Sequence, residues 1–115
     1  MAEDCPFCAI AEGETQAHIV HESEDVLAFR DTNPQAPVHI LVITRRHVPS
    51  VRELGEEPPE LVAELVRTAA RIAKQEGIDE RGWRLVTNVG ADGHQTVPHL
   101  HLHLLGGREM GWPPG

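Results

Sequence analysis

The stretch that decides the fold runs His99-Leu100-His101-Leu102-His103-Leu104-Leu105. Imidazole and leucine alternate along it, and a period of two residues is the period of a β-strand. In a strand, successive imidazoles would lie about 6.6 Å apart on one face, with the leucines on the other face. Residues 99–105 therefore predict a strand with one titratable face and one face that packs into a core.

Length, composition and charge restrict the class of protein. The chain has 115 residues, which predicts a single domain over residues 1–115. No apolar run approaches the roughly 18 residues that a membrane span needs, so we expect a soluble, cytoplasmic protein without a membrane partner. The formal net charge of −8 argues against a nucleic-acid partner, because duplex binding depends on clustered lysine and arginine. The small basic cluster Arg45-Arg46-His47 is compatible with a local phosphate contact or with a solvated strand end.

The rest of the chain predicts four more strands and two helices. The strands are predicted over residues 18–22, 26–31, 38–44 and 83–88. Pro58 and Pro59 begin a long helix that Gly77 ends, and a short helical turn follows Cys5 near the N-terminus. The positions of the long helix predicted to line one apolar face are Leu61, Val62, Leu65, Val66, Ala69, Ile72 and Ala73. Strands and helices do not alternate strictly, which favours an α+β domain with an antiparallel sheet.

Two kinds of chemistry use an array of in-line histidines. Neighbouring imidazoles on one strand can share a zinc ion that keeps an open water position. Alternatively, one imidazole acts as a nucleophile toward phosphorus while its neighbours hydrogen-bond the phosphate, since a free imidazole is mostly neutral at pH 7. The glycine-containing loop over residues 89–96 lies beside the array and can direct backbone N–H groups at phosphate oxygens. The spacing of the histidines alone does not choose between the two.

The two cysteines, Cys5 and Cys8, have the spacing of a zinc knuckle and also of a redox pair. A thioredoxin-like redox site would follow a strand, and no strand fits ahead of Asp4. A zinc site would need two further ligands, and the chain has 8 histidines. Two thiols without a metal are the remaining interpretation.

Several segments together resemble one family. They are the histidine stretch with Gly106-Gly107-Arg108, the terminal Trp112-Pro113-Pro114-Gly115, and Phe29-Arg30-Asp31 with Pro34-Gln35-Ala36-Pro37-Val38-His39. The chain closely resembles, over essentially its whole length, the histidine triad (HIT) nucleotide-binding family in its purine nucleoside phosphoramidase branch. Two departures stand out: His94 replaces a glycine of the close relatives, and Thr32 replaces a larger apolar residue.

The resemblance implies a HIT-like fold and a hydrolase acting on purine nucleoside 5′-phosphoramidates. His101 would attack the α-phosphorus, and a covalent nucleotidyl-histidine would form and then be hydrolysed to the nucleoside monophosphate. His99 and His103 would flank it, and His39 would face the site from its own strand. Asn88, Gln95 and Thr96 match positions that hold the phosphate and assist the leaving group.

The same resemblance implies the remaining ligands and partners. Asp31 would accept the ribose hydroxyls. The purine pocket would consist of Phe7, Ile10, Phe29, Thr32 and Leu41. A structural zinc ion, with no role in the chemistry, would be held by Cys5, Cys8, His47 and His99. Two chains would form a homodimer with joined sheets, through the long helix and a neighbouring strand, and each C-terminal segment would reach toward the partner's site.

Two other functions compete with the phosphoramidase. The same residues could serve a nucleotide-binding or scaffold module without turnover. A zinc-dependent hydrolase could instead hold its metal on the triad itself.

Overall fold

The histidine strand lies in the interior of an antiparallel sheet. The computed structural model describes residues 4–115, and in that range the sheet has five strands in the order β1-β2-β3-β5-β4. The strands are β1 Ile19–Glu22, β2 Val26–Arg30, β3 Val38–Thr44, β4 Trp83–Val86 and β5 His101–Gly106. They are accompanied by helices α1 Pro6–Ala11 and α2 Pro59–Gln75 and a 3-10 helix over Val51–Glu56. The predicted α+β class, five-stranded antiparallel sheet, long helix and short N-terminal helix are confirmed.

The two faces of the sheet pack against different parts of the chain. On one face, α2 packs through Leu65 and Ile72 onto a core that includes Leu100, Leu102 and Leu104. On the other face, the buried residues of α1 join a second cluster that β2 and β3 complete. The leucines of the histidine stretch thus lie in the α2 core, as their alternation predicts.

The histidine strand begins two residues later than the sequence predicts. The N–H of His99 donates to the carbonyl of Val97, and the N–H of Leu100 donates to Val48, which lies beyond the end of β3. Pro98 has no N–H to contribute to a ladder, so the chain enters the sheet only after it has turned. His99 therefore precedes β5, and the prediction of three ladder histidines is wrong for this residue.

The other predicted strands are present with shorter ends. β1 lacks residue 18, and β4 ends at Val86, so Asn88 lies in the following loop. β2 ends at Arg30, which leaves Asp31 directly beyond the strand, where its N–H donates to the carbonyl of His39 at 3.0 Å. The prediction for residues 38–44 is confirmed.

The long helix has the predicted ends and, except at two valines, the predicted apolar face. It begins at Pro59, and Gly77 follows its C-terminal cap with φ +76°, the left-handed conformation that glycine adopts without strain. Val62 and Val66 are 36% and 48% exposed, so their assignment to the core is wrong. None of the helices in residues 4–115 has the length and apolar character needed to span a membrane.

The basic cluster at the end of β3 connects elements to one another. The Arg45 guanidinium donates to the carbonyls of Ser23 at 2.6 Å and Ala11 at 3.2 Å, and Arg46 pairs with Glu57. These contacts favour the strand-end interpretation of the cluster over a phosphate contact.

Candidate active site and metal cluster

A cleft of about 380 Å³ opens on the sheet face opposite α2. It is lined by Pro6, Phe7, Ile10, Thr15, Gln16, Ala17, Phe29, Arg30, Asp31, Thr32, Leu41, Thr96, Val97, His101 and His103. All five residues predicted for a purine pocket are among them, together with Asp31 and Thr96. One end of the cleft is apolar, and histidine and carboxylate side chains border it. Such a combination suits a ligand with a flat apolar part and a charged part.

The tautomer of His101 is fixed by the backbone. Its Nδ1 lies 2.7 Å from the carbonyl oxygen of His99, and a carbonyl only accepts, so Nδ1 carries the hydrogen. The lone pair is therefore on Nε2. The ring is 5% exposed and packs edge-on against Phe7, with ring centroids 5.0 Å apart. In the neutral ring, this hydrogen bond selects the tautomer whose Nε2 is unprotonated.

A second set of hydrogen bonds orders His39 and His103. The backbone N–H of Gln35 donates to His39 Nδ1 at 3.0 Å, so the ring hydrogen of His39 lies on Nε2. That nitrogen is 2.9 Å from His103 Nδ1 and 3.4 Å from an Asp31 carboxylate oxygen. His103 Nδ1 accepts this hydrogen, which leaves its own hydrogen on Nε2 as a donor.

The electrostatics keep these rings neutral. The pKa of His103 is lowered to about 4, first by burial and then by the neighbouring His101 and His39, against the smaller opposing effect of Asp31. Burial also lowers the pKa of His39, against the opposing effect of Asp31. Both rings are therefore uncharged at neutral pH and act through hydrogen bonds.

The glycine-containing loop is braced by its own amides. The Asn88 side chain donates to the carbonyl of Gly93 at 2.6 Å. The Gln95 amide donates to Pro49 and Val97 carbonyls and accepts from the N–H of Gly90. Neither amide is part of the cleft lining, although both were predicted to hold phosphate. In this structure they shape the loop that carries Thr96 to the cleft.

Four potential metal ligands converge behind the cleft. The ligand atoms of Cys5, Cys8, His47 and His99 all lie within 4.8 Å of one another. Cys5 and Cys8 Sγ are 3.3 and 3.5 Å from His99 Nδ1, and Cys8 Sγ is 3.3 Å from His47 Nδ1. Zinc bonds of about 2.3 Å to sulfur and 2.0 to 2.1 Å to nitrogen place tetrahedral S and N ligands about 3.5 Å apart. The donor set and its spacing fit a zinc ion.

His99 belongs to this cluster and not to the cleft. Its side chain is fully buried, and its Nε2 donates to the carbonyl of Thr44 at 2.7 Å. That hydrogen bond leaves the lone pair on Nδ1, the atom that faces the two sulfurs. Burial lowers the pKa of His99, which favours the neutral form that a metal requires. The sequence predicts that His99 flanks His101 as a catalytic residue. The structure instead places the His99 side chain in the cluster, outside the cleft.

A different set of ligand atoms comes together at the cleft. Asp31, His39 and His103 have ligand atoms within 4.8 Å of one another. A metal on the triad, the third function considered from the sequence, would have to use these residues and displace the hydrogen bond between the two rings.

Sequence reasoning missed the groups that fix the rings. The backbone N–H of Gln35 and the carbonyl of Thr44 set the tautomers of His39 and His99. Thr15, Gln16 and Ala17 line the cleft after the turn that ends α1. A backbone donor carries no sequence signature, and the Thr-Gln-Ala segment has no motif spacing, so no signal in the chain pointed to them.

An open antiparallel sheet whose interior strand presents histidines to a half-apolar cleft defines the class of HIT-like α+β proteins. Comparison with known proteins agrees with this class. The HIT domain family matches residues 12–110, and the chain belongs to this family. It is 50% identical over 115 residues, all of both chains, to an uncharacterised HIT-like protein of Synechococcus elongatus.

Two further relatives are informative. The chain is 44% identical over 111 residues to the purine nucleoside phosphoramidase of Escherichia coli K12, covering 96% of this chain and 93% of that one. The crystal structure of a HIT family hydrolase from Legionella pneumophila superposes with a TM-score of 0.94 at 48% identity. That match covers 97% of this chain and 100% of the other.

Proposed function

We propose that this protein is a hydrolase that cleaves purine nucleoside 5′-phosphoramidates to a nucleoside monophosphate and an amine. The observation that carries the proposal is the tautomer of His101, whose lone pair on Nε2 is available to attack phosphorus. The likeness to the Escherichia coli phosphoramidase supports the substrate class. Two cysteines this close together are too few to form the disulfide framework of a small secreted fold, and we propose the cytoplasm as the site of the reaction.

The reaction proceeds in two steps. His101 Nε2 attacks the α-phosphorus, the P–N bond breaks, and the nitrogen leaves as an amine after taking up a proton from a water molecule through the Thr96 hydroxyl. The hydroxide left by that water takes up the proton that the attacking water loses in the second step. The hydrogen stays on Nδ1 and is donated to the His99 carbonyl, which stabilises the positive charge of the nucleotidyl-imidazolium. Water then attacks phosphorus and loses a proton, the bond to His101 breaks, and the monophosphate is released. The Nε2 hydrogen of His103 stabilises charge on the phosphate oxygens in both steps.

The cleft accounts for the nucleoside part of the substrate. Phe7 and Phe29, with ring centroids 5.5 Å apart, and Leu41 provide the apolar surface for the purine. Asp31 lies at the end of β2 and offers a carboxylate to the ribose hydroxyls. No cofactor is needed for the chemistry, because the nucleophile and the donors are side chains.

The test is turnover of adenosine 5′-phosphoramidate by the wild type and by His101→Ala. We expect the variant to lose turnover while its affinity for AMP stays within about tenfold, because the nucleophile is removed and the cleft remains. Mass spectrometry of the wild type on a slow substrate should reveal a nucleotidyl adduct on His101. AMP binding without turnover by the wild type would identify the scaffold alternative, and turnover without an adduct would favour a metal-bound hydroxide.

We further propose that the cluster of Cys5, Cys8, His47 and His99 holds one structural zinc ion. Elemental analysis of protein purified without added metal should find about one zinc per chain, and His47→Gln should lower that content. His18→Gln, which changes an exposed histidine outside the cluster, is the matched control. A wild-type protein without bound metal would contradict the zinc assignment.

A further inference from the structure

The metal cluster and the nucleophile are connected through one residue. The His99 ring faces the sulfurs of Cys5 and Cys8, while its own backbone carbonyl holds His101 Nδ1 at 2.7 Å. His99 lies outside β5, so the sheet ladder does not fix this carbonyl. The residue is held by the ring contacts with the cluster and with Thr44, and by one bond from its N–H to Val97. The N–H of Leu100, which belongs to the same peptide as this carbonyl, also donates to Val48 at 2.6 Å. The position of the carbonyl therefore depends on this backbone bond and on the cluster together.

A second connection runs through α1. This helix has six residues, too few to be stable alone, since isolated helices shorter than about 12 residues are marginal in water. Cys5 caps it by accepting the N–H of Cys8, and both cysteines belong to the cluster. Between them lies Phe7, whose ring contacts His101 and Phe29 edge-on. The cluster thus anchors the helix that brings Phe7 to both the base pocket and the nucleophile.

We propose that the cluster of Cys5, Cys8, His47 and His99 is a positioning device for the active site, which sets the tautomer of His101 and the position of Phe7 from behind the cleft. Only the expected effect on kcat rests on the proposed function. His47 is the most informative member of the cluster, because it contacts the His99 ring with centroids 5.1 Å apart and is not part of the cleft lining. Its side chain reaches the site through the cluster, and its backbone reaches it through the neighbouring Val48 carbonyl, which a side-chain substitution leaves in place.

The proposal predicts that a change at His47 reaches His101. When the cluster loses its fourth ligand, the His99 ring loses one of the contacts that keep its carbonyl at His101 Nδ1, and we expect the ring hydrogen to divide between the two nitrogens. Attack through Nε2 requires the Nδ1-protonated form. Groups that orient a functional histidine typically contribute 10-fold to 100-fold in affinity or activity. We expect kcat to fall by at least about tenfold and the affinity for AMP to weaken with it, because Phe7 moves as well.

The experiment compares wild type, His47→Gln and His18→Gln. Histidine ¹⁵N–¹H correlation spectra assign the tautomer of His101, calorimetry gives the Kd for AMP, and elemental analysis gives the metal content. The proposal predicts a mixed His101 tautomer and a raised Kd in His47→Gln, with both unchanged in His18→Gln. Cys8→Ser is the second variant, to be used if His47→Gln does not fold.

A folded, metal-depleted variant that keeps the Nδ1-protonated tautomer of His101 and the wild-type Kd for AMP would overturn the proposal. The tautomer is measured without substrate, so this result is separate from the hydrolase assignment. A wild type that shows the tautomer but turns over no phosphoramidate would refute the proposed function and leave the positioning role in place.

Discussion

At the scale of single residues, the chemistry depends on which ring nitrogen carries hydrogen. The alternation in residues 99–105 predicts which side chains share a face, and the structure confirms that separation for His101, His103 and the leucines. It does not predict the tautomers, because the groups that fix them are a backbone N–H at Gln35 and carbonyls at Thr44 and His99. Such partners are set by the packing of distant segments and leave no trace in residue type.

The lowered pKa of His103 makes the stability depend on pH. With a pKa of about 4 in the folded protein and about 6.5 when unfolded, this ring takes up a proton more readily in the unfolded chain. The contribution of His103 to the free energy of unfolding is fully present above pH 6.5. It decreases by at most about 3 kcal/mol as the pH falls toward 4. In His103→Asn this part of the pH dependence should be absent.

Urea unfolding of both proteins between pH 4 and pH 7.5 measures this effect. As the pH falls from 6.5 toward 4, the free energy of unfolding of the wild type should decrease relative to that of His103→Asn. His18→Asn, which changes an exposed histidine, should run parallel to the wild type throughout. Parallel curves for His103→Asn as well would show that His103 is not the responsible group.

At the scale of elements, hydrophobic periodicity predicts which segments are strands and helices, and hydrogen-bonding partners decide where they end. The run over residues 38–44 is β-branched and buried, and its bounds are predicted correctly. Residues 83–88 are only partly buried, and the strand predicted there ends at Val86. Thr87 and Asn88 instead use their side chains to bond the His101 and Gly93 carbonyls. The 3-10 helix over Val51–Glu56 has no strong periodicity and was not predicted.

The glycine-containing loop allows a direct test at His94. This residue has φ +61°, although it is not glycine. A Cβ in the left-handed region costs about 1 to 2 kcal/mol, and glycine avoids that cost. We therefore expect His94→Gly to be more stable than His94→Ala by about 1 kcal/mol. Both variants remove the exposed imidazole, so the comparison isolates the backbone, and equal denaturation midpoints would contradict the argument.

At the scale of the whole molecule, the sequence predicts the exposed surfaces least well. These are the parts of the sheet and of α2 that no other segment of the chain covers. Val62 and Val66 fit the helical period of the core, yet α2 turns them outward. Periodicity gives the angular width of an apolar stripe, but it does not say whether one chain or two will cover it. The edge strand β4 lies at one end of the sheet, and Trp112 is 82% exposed in the C-terminal segment.

The C-terminal segment is predicted to affect the leaving group more than the nucleotide. The Arg84 side chain on β4 donates to the carbonyl of Gly111, which ties the segment to its own chain. Deleting residues 110–115 keeps Arg108, whose guanidinium supports the Gln35 carbonyl near His39. The fold and the AMP affinity should therefore persist, while kcat/KM for small and bulky phosphoramidate amines should change in ratio. Full-length Trp112→Ala should shift that ratio in the same direction, and an unchanged ratio in both would contradict the prediction.

We propose that two chains form a homodimer through the exposed valines of α2 and the edge strand β4. Val62 and Val66 form an apolar patch on α2, and β4 pairs with β5 along one side only. An apolar helix face and an open strand edge are each unfavourable in water, and a twofold pairing of the two chains covers both at once and joins the sheets.

The substitution Val66→Lys tests this contact, because in a twofold dimer it places two lysine charges, one from each chain, in the interface. Sedimentation at micromolar concentration should give a dimer for the wild type and a monomer for Val66→Lys. Gln75→Lys adds the same charge on an exposed position of the same helix, away from Val66, and should remain dimeric. A monomeric wild type, or a dimer that tolerates Val66→Lys, would place any association elsewhere.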